Sequence, residues 1–103
     1  ELAKKMSRKS LDIEKDNASF LDTYAWINFE LRLFTEAKFY QEQALANGKE
    51  DMAAIYEHYG DILFKLNETE KALTYWIKAK ESGSKNKSLP IKISTKKYVD
   101  YQD

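Results

Sequence analysis

His58 is the single histidine of the chain and stands between Glu57 and Tyr59, with Asp61 about one helical turn further on. An imidazole beside carboxylates is the starting set for general acid–base work or for a metal site. Neither chemistry is completed, because cysteine is absent and no activated nucleophile, second base or phosphate-cradling glycine loop accompanies the group. His58 is therefore expected to be structural or solvent-facing. The chain is expected not to be an enzyme and to carry no catalytic residue, metal or cofactor.

Recognition chemistry is better represented. Asp22, Trp26, Phe29 and Glu30 fall at helical spacing, and Glu57, Asp61, Phe64 and Lys65 repeat the same spacing 35 residues later. A tryptophan among carboxylates is the kind of anchor that dominates binding interfaces. Phe29 and Phe64 recur identically, which also suits a packing role, whereas the counterpart of Trp26 is Asp61 and that position is not expected in a deep core. An acidic and aromatic surface favours a basic or mixed-charge segment.

The elements that must hold these residues follow from the same period. Ala18, Tyr24, Ile27, Phe29, Leu31, Ala37, Tyr40, Ala44 and Gly48 return as Ala53, Tyr59, Ile62, Phe64, Leu66, Ala72, Tyr75, Ala79 and Gly83. Tyr24, Ile27 and Leu31 define an apolar helical stripe extended by Phe20, and Tyr59, Ile62 and Leu66 copy it with Ile55. A second helix in each unit carries Ala37, Tyr40 and Ala44, or Ala72, Tyr75 and Ala79, whose small residues permit close helix contact. Helices are expected at about 18–31 and 35–46, then 52–66 and 70–81. Thr35 and Thr69 are expected as N-caps, Asn67 as a left-handed C-terminal residue, and Gly48 and Gly83 as terminators.

Residues 1–14 read as a helix with Ala3, Met6, Ser10 and Ile13 on one side, in register with the second helix of a unit through Ala3/Ala37 and Leu11/Leu45. The chain is thus expected to start inside a repeat of a longer array. Residues 83–88 are polar and lysine-rich, after which Ser88 is expected to cap a final helix with Pro90 in its first turn. Leu89, Ile93, Tyr98 and Tyr101 would face the array and Lys92, Lys96 and Lys97 would lie outside, closing the last apolar face.

Composition agrees with a helical domain. With 103 residues, 43% hydrophobic content, 3 glycines and 1 proline, the chain has enough apolar mass for a core and too few turn residues for a many-stranded sheet. No apolar run approaches the roughly 20 residues that span a bilayer, so membrane insertion is not expected. The formal net charge is zero, but 16–77 is acidic and 78–103 basic. Lysines at a helical end most often form a solvated face, and the acidic body argues against nucleic acid as partner.

The doubled unit resembles the tetratricopeptide repeat family, whose 34-residue signature runs Trp-x2-Leu-Gly-x2-Tyr, then Ala-x3-Phe, then Pro. Residues 53–87 match best, with Tyr56, Tyr59, Gly60, Leu63, Ala72, Trp76 and Ser84 at the signature positions. Residues 18–52 offer Leu21, Tyr24, Ala25, Asn28, Ala37, Gln41 and Lys49, and depart from the signature at Asn28, Gln41 and Lys49. The resemblance implies an all-α, right-handed superhelical solenoid of helix-turn-helix repeats. Residues 1–17 would be the second helix of a truncated repeat, 18–52 and 53–87 full repeats, and 88–103 a capping helix and tail.

It further implies a protein-interaction scaffold in which the first helices line a concave groove for a peptide or protein, with Asp22, Trp26, Phe29, Glu30, Glu57, Asp61, Phe64 and Lys65 as contact residues. The Lys/Asn clamp that some family members use for a C-terminal carboxylate is missing, since Asp22, Trp26, Glu57 and Asp61 occupy those places. The alternative is an architectural spacer or self-assembly segment, with association through the truncated N-terminal face. Leu21–Trp26 and Glu57–Phe64 also resemble stretches of large multi-repeat bacterial proteins, some exported. The compartment stays open.

Overall fold

A computed structural model describes residues 2–98. Among these residues the secondary structure is entirely helical: α1 (Leu2–Ile13), α2 (Ala18–Glu30), α3 (Phe34–Asn47), α4 (Met52–Lys65), α5 (Thr69–Glu81) and α6 (Ser88–Thr95). The chain divides into two compact units, residues 1–50 and 51–103, each built around one helical hairpin.

In the first unit α2 and α3 form the hairpin and α1 packs on α2. Leu21, Tyr24, Ala25 and Phe29 of α2 are buried against Ala37 and Ala44 of α3, and Leu11 is the one residue of α1 that is fully covered. The alanines have no side chain beyond Cβ, so the axes approach closely and the larger residues of α2 fill the space beside the crossing. Tyr24 meets Tyr40 edge-on, with centroids 4.7 Å apart and planes at 85°. Arg8 donates to the Tyr40 hydroxyl at 2.6 Å. That bond and the electrostatic attraction of the Tyr40 hydroxyl oxygen raise the Arg8 pKa above its ordinary value.

The second unit repeats the design. Ile55, Tyr59, Ile62 and Leu63 of α4 pack on Ala72, Trp76 and Ala79 of α5, and Tyr59 meets Tyr75 edge-on at 4.6 Å and 82°. Gly60 is required by a close approach: a Cβ there would stand 2.5 Å from Trp76 Cδ1 and 3.1 Å from the Ala72 carbonyl. The first unit makes the same crossing with Ala25, because Gln41 replaces the tryptophan at that register.

The hairpin turns are also alike. Arg32 and Asn67 adopt left-handed backbone, with φ of 63° and 66°, and the amides of Leu33 and Glu68 reach back to the Asn28 and Leu63 carbonyls, each at 2.9 Å. These bonds satisfy the end of the first helix and reverse the chain within a few residues. Asn67 takes the expected left-handed role. The expected N-caps do not form: α3 and α5 begin at Phe34 and Thr69, the capping positions are Leu33 and Glu68, and neither uses a side-chain cap. The turn is so tight that the next helix has already started where Thr35 and Thr69 stand. Gly83 terminates α5 with φ of 96°, whereas Gly48 follows α3 in extended backbone. Ser88 lies inside α6 rather than capping it, with Lys87 at the cap position.

Candidate functional site

Asp22, Trp26, Phe29 and Glu30 lie along one side of α2 at helical spacing. Trp26 is half-buried and stacks on Phe29, with centroids 4.6 Å apart and planes at 16°. Phe29 is buried and continues edge-on to Phe34 at 5.4 Å. The phenylalanine therefore does packing work and supplies a platform, and the indole presents the accessible ring. Asp22 is half-buried, and its Oδ1 accepts from Gln41 Nε2 at 2.8 Å, which orients the carboxylate. Glu30 is exposed at the end of the helix. The first unit thus brings together a hydrogen-bonded carboxylate, a stacked indole and a second, exposed carboxylate.

The equivalent residues of α4 meet a different environment. Glu57 and Asp61 are buried, and between them sits the ammonium of Lys92 from α6, 3.0 Å from Glu57 Oε2 and 2.9 Å from Asp61 Oδ1. Lys92 has no solvent exposure at all. This corrects the expectation that Lys92 lies outside with Lys96 and Lys97, which are exposed. A buried charge is tolerated only when paired and hydrogen-bonded, and the surroundings meet that requirement. Ser84 Oγ donates to Glu57 Oε1 at 3.0 Å, Asn86 Nδ2 donates to Glu57 Oε2 at 2.7 Å, and Trp76 Nε1 donates to Asp61 Oδ1 at 2.9 Å. Asn86 Oδ1 in turn accepts from the Ser88 amide and hydroxyl, each at 3.0 Å, and so fixes the start of α6.

Phe64 is half-buried and tilts against Trp76 at 5.9 Å. Lys65 is half-buried with its ammonium 4.7 Å from the Tyr98 ring centroid, and Lys92 lies 5.2 Å from the same ring. His58 is half-buried on α4. Tyr101, expected to face the array, lies outside the described residues.

The sequence reading missed Lys92, Ser84 and Asn86, and the polar use of Trp76. A signal for the first was present: Lys92 follows Glu57 by the repeat period, as Glu57 follows Asp22. Successive first helices therefore carry Asp, Glu and Lys at one register, and the change of sign at Lys92 marks where a buried pair can form. Ser84 and Asn86 sit in a loop whose path no periodicity predicts.

No family model and no curated protein matches the chain. Among solved structures it is similar to the N-terminal domain of stress-induced protein-1 from C. elegans, with 20% identity, a TM-score of 0.72, and coverage of 87% of this chain and 75% of that one. That likeness shows the fold, a helical-repeat domain of the tetratricopeptide type. Among the described residues no helix is long and apolar enough to cross a membrane.

Proposed function

We propose that the chain is a non-enzymatic protein-interaction scaffold, and that Asp22, Trp26, Phe29 and Glu30 on α2 form its contact surface for a basic or mixed-charge protein segment. The observation that carries this reading is the half-exposed Trp26, stacked on a buried Phe29 and flanked by two carboxylates. A ring held by a rigid neighbour loses little entropy on binding, and its area supplies the apolar part of the contact.

The second unit supports the sign of the partner. Its acidic positions at the same register, Glu57 and Asp61, are met by the chain's own lysine. In that unit Glu57 and Asp61 hold α6, so they reach a partner only where α6 lifts away, with Phe64 and Lys65 at the edge of the same surface. Binding nucleic acid is not part of this reading, because the contact surface is acidic.

Calorimetric titration of a lysine- and leucine-containing helical peptide into the wild-type chain, and into an Asp22→Lys/Trp26→Ala variant with unchanged circular dichroism, tests the proposal. Saturable binding that the variant loses supports it. Equal binding by both, or by neither, leaves the architectural or self-assembling role in its place.

A further inference from the structure

Lys4, Lys5, Arg8 and Lys9 stand at i, i+1, i+4 and i+5 of α1, a spacing that gathers four cations on one side of the helix. With Tyr24 of α2 they line an open recess of about 410 Å³ in the first unit. Two of the four are paired: Lys4 lies 3.4 Å from Glu36 of α3, and Arg8 Nε lies 3.3 Å from Asp12. Lys5 and Lys9 are exposed and have no ion-pair partner among the described residues. The recess is therefore left with the charge of these two lysines. Arg8 is held in place by its bond to the Tyr40 hydroxyl at 2.6 Å, with Cζ 5.9 Å from the ring centroids of both Tyr24 and Tyr40. A guanidinium carries five N–H donors in one plane, so a group anchored by Tyr40 and Asp12 still has donors for a ligand.

This side of a second helix stays outside the packing of a repeat. In register with Lys5 are Phe39 of α3 and Thr74 of α5, both exposed, and in register with Lys9 are Gln43, half-buried, and Lys78, exposed, although α3 and α5 stand in complete hairpins. The cationic surface is thus a property of the outward face of α1.

We propose that the recess binds a phosphate monoester carried on a peptide segment of a partner protein. Such a group has a charge of about −1.5 to −2 at neutral pH and three acceptor oxygens, which matches the two uncompensated lysines and the oriented guanidinium. The peptide is indicated by what lies alongside. A second recess, of about 270 Å³, meets the first at Arg8 and has Leu11, Leu21 and Phe39 in its lining. Phe39 is 59% exposed and is braced edge-on by Tyr40, with centroids 5.1 Å apart and planes at 87°. The recesses are offset by about five residues of α1, roughly 7 Å at the helical rise, which is close to the reach of two residues of extended chain. One segment can set its phosphate against Lys5 and Lys9 and lay an apolar side chain on Phe39. A polyanion such as nucleic acid fits less well, because Asp12 and Glu36 border the site and would face its further charges. The site shares no residue with the Asp22 and Trp26 surface and takes a ligand of opposite sign, so the two readings fail separately.

The probe is a labelled peptide with phosphoserine at its centre and leucine two residues to either side, titrated into the full chain by fluorescence anisotropy beside its serine and glutamate counterparts. The phosphopeptide is expected to bind about tenfold more tightly than either, the effect of one charge-assisted hydrogen bond at a partly exposed site. In a Lys5→Gln/Lys9→Gln variant, whose exposed positions leave the circular dichroism unchanged, that preference disappears, and Lys5→Arg/Lys9→Arg restores it. Phe39→Ala weakens the phosphopeptide and the serine peptide by the same factor, and Trp26→Ala changes nothing. Equal affinity for the three peptides, or a preference that survives Lys5→Gln/Lys9→Gln, overturns the proposal. So does displacement of the phosphopeptide by an equal concentration of inorganic phosphate, which marks a free-anion site, and so does lysine-dependent sedimentation with phosphatidylserine vesicles that release the peptide, which marks a membrane surface.

Discussion

Replacing Lys92 by methionine keeps the length and apolar stem of the side chain and removes only the ammonium. Two buried carboxylates then lose their shared cation. Removing one partner of a buried ion pair costs about 3–5 kcal/mol, because the remaining charge has no water to return to. Here Glu57 keeps its bonds from Ser84 and Asn86, and Asp61 keeps that from Trp76, so the lower end of the range applies, about 3 kcal/mol. The two tryptophans lie in different units, which makes the assay specific. Urea unfolding followed by Trp76 fluorescence in a Trp26→Phe background reads the second unit, and Trp26 in a Trp76→Phe background reads the first. The loss is expected in the second unit alone. Adding Glu57→Gln and Asp61→Asn to Lys92→Met removes the stranded charges and is expected to recover most of it, which keeps the test decisive even where the single variant does not fold. A single variant within about 1 kcal/mol of the parent, or a triple variant no more stable than the single one, would refute the reasoning.

Gly60→Ala is expected to destabilise the second unit by about 1–3 kcal/mol, since Trp76 is fully buried and bonded to Asp61 and cannot retreat; in a Trp76→Gln background, which reproduces the Ala25/Gln41 pairing of the first unit, the same substitution should cost much less in urea unfolding. Asn28 is fully buried, and its Oδ1 has no hydrogen-bond partner among the described residues, while the register counterpart is the buried Leu63. Asn28→Leu should therefore stabilise the first unit by about 1 kcal/mol, read from the Trp26 transition.

Much of this architecture is legible in the sequence because it repeats. Alanine at 37 and 44, and again at 72 and 79, announces close helix contact, and the paired tyrosines mark the faces that meet; all of these are local patterns that the helical period makes visible. The start of each second helix was less legible, because the tight turns at Arg32 and Asn67 depend on backbone bonds that leave no side-chain signature, and threonine near a helix start suggested caps that do not form. The candidate site divides along the same line. Trp26 on its Phe29 platform follows from spacing on one helix. The burial of Lys92 does not, because a lysine counts as a surface residue until Trp76 of α5 and Ser84 and Asn86 of the following loop close around the two α4 carboxylates that hold it.

The most direct test of the scaffold reading watches the two indole N–H groups by nitrogen-15 NMR while the lysine- and leucine-containing peptide is added. The account predicts that the Trp26 resonance moves saturably and that Trp76, whose N–H is held by Asp61 inside the second unit, stays in place. A Trp26 resonance that does not respond while the peptide binds, or a response at Trp76 instead, contradicts it.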